Sequence, residues 1–133
     1  MKIPKSLEWK NDSLYLLDQT LLPFDFNYLK MENAEQVWEA IKSLKVRGAP
    51  AISIAGVYGM YLGLRGHQQL PLAEFKDKAH FYFQYINSSR PTAVNLQYAL
   101  LRVLAVIKNS EKSPVELLAE ILNTAHDIYN EDL

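Results

Sequence analysis

The chain has no cysteine. A disulfide framework, a thiolate metal site and a thiol nucleophile are therefore excluded within it. Basic charge is not in excess either: 14 lysines and arginines stand against 15 acidic residues, for a net charge of −1. With no basic run or tail, nothing marks a surface for nucleic acid. A small anion needs only one or two local positive groups, so neutrality leaves that ligand class open. Histidine is scarce, and His67, His80 and His126 share no metal-ligand spacing; no metal site is expected. Five glycines and six prolines in 133 residues are too few for a disordered or low-complexity chain. No apolar run reaches the roughly 20 residues needed to span a bilayer. The opening Met1-Lys2-Ile3-Pro4-Lys5 does not begin an apolar segment of signal-peptide kind. A cytoplasmic protein without a membrane partner is the expectation.

What remains is an ordinary globular composition, 49% hydrophobic and 22% charged, of a length suited to one domain over residues 1–133. Residues 1–32 form a small β region. Leu7 and Trp9 alternate with polar neighbours, Asn11-Asp12 is a turn signal, and Leu14-Tyr15-Leu16-Leu17 completes a hairpin. Leu21-Leu22-Pro23 breaks the run, and Phe24, Phe26, Tyr28 and Met31 suggest a third strand. From residue 33 the period becomes helical. Asn33 and Gln36 hint at a capping box for a helix over about 34–44 with Ala34, Val37, Trp38, Ile41 and Leu44 on one face. A second helix starts at Pro50 and stops near Gly66. It is apolar nearly all round and carries Gly56, Gly59 and Gly63; glycine inside a helix costs about 1 kcal/mol relative to alanine. Close packing of neighbouring backbones against a central buried helix is the simplest reason for three of them. A third helix follows Pro71, a fourth begins near Thr92 or Ala93, and a fifth starts with Ser113 as cap, Pro114 in the first turn and Glu116 completing the box. The last helix runs into Glu131-Asp132-Leu133 with no stop signal, as if cut short or leading into a linker. The fold class is α+β and mainly helical: a small antiparallel sheet of about three strands, then a five-helix bundle over 33–133.

Two segments carry possible chemistry. Val46-Arg47-Gly48-Ala49-Pro50-Ala51-Ile52 sets an arginine, a glycine free to adopt unusual backbone angles and a helix-starting proline before the apolar helix. The free amides of a helix's first turn, with its dipole, favour an anion, and Arg47 adds a planar fork of donors. Arg90-Pro91-Thr92-Ala93-Val94-Asn95-Leu96 repeats the design, and two such corners can converge on one phosphate. The competing reading is internal: both arginines pair with Asp18, Asp25 or Glu32 and tie the β region to the helices, which spacing alone favours. Asp18 could serve in acid–base chemistry, but a carboxylate bonded to turn amides fits its place at a strand end better. No Ser/His/Asp set and no glycine-rich phosphate loop is present. His80-Phe81-Tyr82-Phe83 cannot share one helix face, so it is no stacking platform.

Taken in order, Leu16-Leu17-Asp18-Gln19-Thr20-Leu21-Leu22-Pro23, Ala40-Ile41-Lys42, Val46 through Ile52, Tyr58-Gly59 and Arg90 through Leu96 resemble the N-terminal domain of the S-methyl-5-thioribose-1-phosphate isomerase family. That family belongs to a larger group with ribose-1,5-bisphosphate isomerases and the regulatory subunits of a translation-initiation nucleotide exchange factor. The resemblance covers essentially the whole chain; Ser53 stands where the family's run leads one to expect glycine. It implies an aldose–ketose isomerisation in methionine salvage, from methylthioribose 1-phosphate to methylthioribulose 1-phosphate, with no metal and no cofactor. It implies that Arg47, Gly48, Ala49 and Arg90 contact the substrate, a small phosphorylated sugar, which reverses the ranking of the two readings above. It also implies that no catalytic residue lies on this chain. The family's catalytic cysteine and aspartate sit in a Rossmann-like C-terminal domain that the 133 residues lack, so the chain alone is expected to be inactive and the full-length parent to be a homodimer. Pro50 and Asp18-Gln19-Thr20 favour the methylthioribose enzyme over an isomerase of the ribose-1,5-bisphosphate type. A regulatory or assembly module of the same group remains the non-enzymatic alternative.

Overall fold

The computed structural model describes residues 6–22 and 27–131. Three strands open it: β1 (Leu7–Lys10), β2 (Ser13–Leu17) and β3 (Tyr28–Met31). They form one antiparallel sheet in the order β1-β2-β3. Lys10 faces Ser13 across the Asn11-Asp12 turn, whose two residues take φ of 53° and 59°. Two left-handed residues twist a two-residue hairpin with the strands it joins, and Asn and Asp tolerate that conformation best after glycine. The expected third strand is present at Tyr28 and Met31; Phe24, Phe26 and Asp25 lie outside the described residues.

Five helices follow: α1 (Ala34–Lys42), α2 (Ala49–Leu64), α3 (Leu72–Asn87), α4 (Val94–Lys108) and α5 (Pro114–Glu131). The Asn33 side chain accepts from the Gln36 amide at 2.8 Å, while Gln36 reaches back to the Glu32 amide, one residue earlier than a capping box requires. Ser113 and Glu116 make the full reciprocal box at the head of α5.

α1 stops two residues before the expected Leu44. Leu44 takes φ of +63°, the Leu44 amide bonds to the Ile41 carbonyl, and the Lys45 amide bonds back to the Ala40 carbonyl at 3.0 Å. This is a Schellman ending with leucine where glycine is usual, so no glycine announces it in the sequence. Gly66, expected to stop α2, does not do so in that way: among the described residues only Gly48 is a glycine with positive φ. α2 instead tightens into a 3-10 turn over Arg65–His67.

α2 is the centre of the molecule. It touches all four other helices and β2, and Ile52 through Met60 are buried without interruption. Its glycines are explained by side chains, not by neighbouring backbones. A Cβ on Gly56 would collide with Leu96, one on Gly59 would lie 2.9 Å from Val37, and one on Gly63 would lie 2.7 Å from the Tyr82 ring. Among the described residues no helix is long and apolar enough to cross a membrane. The apolar periodicity of α3, α4 and α5 turns inward: Phe75, Ala79 and Ile86; Leu96, Leu100, Val103, Leu104 and Ile107; and Leu117, Leu118, Ile121, Ala125 and Ile128 are buried, while Leu72, Tyr82 and Leu122, expected on the same faces, are only half-buried.

Candidate functional site: a corner between two helix N-termini

The chain is aimed into this corner by its own backbone. After the left-handed Leu44, the Lys45 carbonyl accepts from the Gln19 amide at 3.0 Å, which pins the loop to the end of the sheet. Val46 is buried and holds the next residues at the surface. Gly48 caps α2 with φ 89° and ψ 138°, a region that L-residues avoid. Ala49 and Pro50 then open the helix; proline has no amide hydrogen to lose there. At the second corner Ser89 is fully buried and its hydroxyl donates to the Ile86 carbonyl at 2.6 Å. That fixes the turn from which Arg90 and then α4 emerge.

These two starts face each other. Gly48, Ala49 and Ile52 of one, with Arg90, Ala93, Val94, Asn95 and Leu96 of the other, line a single pocket of about 340 Å³. Neither Gly48 nor Ala93 supplies a side-chain cap to its helix, whereas Asn33 caps α1 and Ser113 caps α5. First-turn amides have no partner within their own helix, so both openings present donors at the positive ends of helix dipoles. Among the residues lining the pocket, Arg90 carries the one charged side chain. The arrangement suits a small dianion held by backbone amides and an arginine fork.

Three of the four expected contact residues, Gly48, Ala49 and Arg90, are thus brought together. Arg47 is exposed and does not line the pocket; its Nε donates to the Leu44 carbonyl at 3.2 Å. Among the described residues, neither Arg47 nor Arg90 forms an ion pair. Asp18 caps a short turn, accepting from the Thr20 amide at 2.9 Å and from its hydroxyl at 2.5 Å, and Glu32 lies 4.0 Å from Lys30. Asp25 lies outside the described residues. The tie between sheet and helices is made by Arg65, which donates to the Asp12 carbonyl at 2.6 Å, the Asp12 carboxylate at 3.1 Å and the Glu32 carbonyl at 2.9 Å.

The histidines take no part. His80 is exposed, His67 approaches the Tyr82 hydroxyl, and His126 Nδ1 lies 2.6 Å from the Tyr58 hydroxyl. Among the described residues no cluster of three or more His, Cys, Asp or Glu could hold a metal ion. Ser53 turns its hydroxyl back to the Ala49 carbonyl at 2.9 Å, so the residue in place of a glycine is internally satisfied. Sequence reasoning missed Val94 and Asn95 as wall residues. The start of α4, expected near Thr92 or Ala93, lies at Val94, with Ala93 as its cap.

A family model described as the initiation factor 2 subunit family matches residues 45–133, from the loop before Arg47 through every later helix. A 5-deoxyribose 1-phosphate isomerase of Bacillus thuringiensis (strain Al Hakam) is 44% identical over 127 residues, covering 95% of this chain and 37% of its own length. A methylthioribose-1-phosphate isomerase of Symbiobacterium thermophilum is 40% identical over 132 residues, covering 97% and 36%. Two solved structures share the fold. The 5-methylthioribose 1-phosphate isomerase of Pyrococcus horikoshii OT3 is 37% identical with a TM-score of 0.90, over 98% of this chain and 37% of that one. The translation initiation factor eIF-2B subunit delta of A. fulgidus is 35% identical with a TM-score of 0.87, over 96% and 37%. The chain therefore spans little more than a third of the length of these relatives.

Proposed function

The chain belongs to the initiation factor 2 subunit family, and on that premise we propose that it is the substrate-binding N-terminal part of a sugar-phosphate aldose–ketose isomerase. The reaction is the conversion of methylthioribose 1-phosphate to methylthioribulose 1-phosphate, a step of methionine salvage. One observation carries the reading: two helix openings without side-chain caps meet in one pocket whose charged side chain, Arg90, makes no ion pair among the described residues. The phosphate sits there on the amides of α2 and α4 and on the Arg90 fork. Arg47 joins it by exchanging its bond to the Leu44 carbonyl for a phosphate oxygen.

Isomerisation requires an acid to open the ring and a dry site for hydrogen transfer. Arg90 is the sole ionisable side chain on the wall of the corner, so the corner binds and does not transform. The 133-residue chain accordingly binds substrate without turnover, and the catalytic groups come from a C-terminal domain of a homodimeric parent. Measurable turnover by the purified chain contradicts this.

The names of the relatives favour a second substrate, 5-deoxyribose 1-phosphate, which differs only at C5 and offers the corner the same phosphate. The resemblance to an initiation factor subunit supports a non-enzymatic module, which needs no free arginine in the corner. Calorimetric titration of the chain with methylthioribose 1-phosphate separates enzyme from module. Hydrogen bonds to charged groups are worth about 1.5–3 kcal/mol, so Arg90→Ala weakens binding roughly 10- to 100-fold. Unchanged affinity favours the module.

A further inference from the structure

The aromatic run of α3 has no part in the corner, since none of its residues lines that pocket. His80 through Phe83 spread round the helix, and Phe81 finds a parallel ring one turn further on. It stacks on Tyr85 at 6.0 Å with 5° between the planes. Tyr85 in turn stacks on Trp38 of α1 at 6.0 Å and 22°. The Trp38 indole is held by a bond of its own, Nε1 donating to the Ser88 hydroxyl at 2.9 Å. Tyr82 meets the Phe81 ring edge-on at 5.1 Å. The three rings make a ladder across the seam between α1 and α3. Tyr85 and Trp38 are half-buried, but the outer rung, Phe81, is 53% exposed. A single exposed phenylalanine is ordinary on a surface. One that ends a ladder of fixed rings presents a rigid π face, negative at its centre.

The surrounding charge decides which partner suits that face. Glu35 and Glu39 lie one turn apart on α1 in the turns that hold Trp38, and Glu74 and Asp77 precede Phe81 by two turns and one turn on its own face of α3. All four are exposed, and among the described residues none forms an ion pair. Burial, and then the negative charges of Glu35 and Glu39, push the Tyr85 phenol above its ordinary range, which sets both carboxylates within electrostatic reach of the ladder. Lys42 and Lys78 share these helix faces, so the carboxylates outnumber the lysines two to one. The Lys78 ammonium lies 5.9 Å from the centre of the Phe81 ring, at the outer limit of a cation–π contact. The ring thus already faces a cation, loosely held. Such a surface repels nucleic acid and anionic lipid and attracts a basic polypeptide. Arginine matches it best: its guanidinium plane stacks on an aromatic face while its donors reach carboxylates, and lysine brings the charge without the plane.

We propose that the Phe81–Tyr85–Trp38 ladder is a docking face for an arginine-bearing segment of another protein. One guanidinium lies against the Phe81 ring in place of Lys78, and the neighbouring basic side chains of the segment meet the carboxylates of α1 and α3. Fluorescence anisotropy of labelled hexa-arginine, titrated with the chain, tests this at physiological ionic strength, where charges more than about 8 Å apart are largely screened. Saturable binding is expected, about two- to fivefold tighter than that of hexa-lysine. Phe81→Leu keeps an apolar side chain at an exposed position and removes the π face, and it weakens hexa-arginine about two- to fivefold. The double change Glu35→Gln with Glu39→Gln weakens both peptides by a similar factor. Glu111→Gln, in the loop between α4 and α5, removes a carboxylate away from the ladder and leaves both affinities unchanged. Equal affinity for the two peptides, or an unaltered affinity in Phe81→Leu, overturns the ladder as the docking face. An effect of Glu111→Gln equal to that of the double change marks attraction to the molecule as a whole and overturns it as well. Absence of saturable hexa-arginine binding overturns the proposal outright.

Discussion

Arg47, Arg65 and Arg90 are chemically identical and are separated by the acceptors they meet. Arg65 meets carbonyls and a carboxylate of the sheet region; Arg47 meets the carbonyl of a strained leucine; Arg90 meets an open pocket. The corner arginines were legible in the sequence because a proline follows each within three residues, Pro50 inside the first turn of α2 and Pro91 in the turn that leads into α4. Arg65 was not, since its partners are mostly backbone oxygens 33 and 53 residues away, and a carbonyl has no sequence signature. Its bonds are partly solvated, so Arg65→Ala should lower unfolding free energy by about 1 kcal/mol, read by urea denaturation, with phosphate affinity unchanged. Gly48→Ala tests the corner differently. A Cβ there meets nothing within 4 Å, so its cost is backbone strain alone, about 1–3 kcal/mol, and the variant should also bind phosphate more weakly as Ala49 is turned away. Full retention of both stability and affinity would remove Gly48 from the site.

At the scale of elements, the same residue type has opposite value along α2. Gly56→Ala sets a methyl against Leu96, which is itself buried. Overpacking of this kind costs about 1–3 kcal/mol, outweighing the roughly 1 kcal/mol gained in helix propensity. Gly66→Ala meets nothing within 4 Å and no positive φ, so it should be neutral or stabilise by up to about 1 kcal/mol. Thermal melting should show a lowered midpoint for Gly56→Ala and an unchanged or raised one for Gly66→Ala. The start of α5 was readable because Ser113, Pro114 and Glu116 are local to one another. The end of α1 was not, because Leu44 adopts a conformation that leucine resists by roughly 1–2 kcal/mol. Only the surrounding contacts, the Arg47 bond to its carbonyl among them, hold it there.

For the whole molecule, one continuous core joins sheet and bundle from Leu7 to Ile128. It was foreseeable from the apolar periodicities, but the ring cluster that clamps its N- and C-terminal ends was not. Trp9 of β1 stacks on Tyr58 of α2 at 4.8 Å and meets His126 of α5 edge-on at 6.2 Å. These residues are dispersed in the sequence and carry no common period. Burial pushes the Tyr58 phenol well above its ordinary range, and burial also raises Tyr61, Tyr82 and Tyr85. A raised folded value favours the neutral phenol in the native state. Its stabilising effect is complete below the unfolded value of about 10 and is lost as pH climbs toward the folded one. Stability should therefore fall above about pH 10, and more shallowly in Tyr58→Phe; equal slopes in urea titrations at several alkaline pH values would count against burial as the cause. The phosphate corner itself is tested most directly by amide chemical shifts of the chain titrated with methylthioribose 1-phosphate. Saturable shifts centred on Gly48, Ala49, Val94 and Asn95 are expected, with saturation in Arg90→Ala moved to roughly 10- to 100-fold higher ligand. Binding that leaves these amides unmoved, or no binding at all, would contradict the corner as the phosphate site.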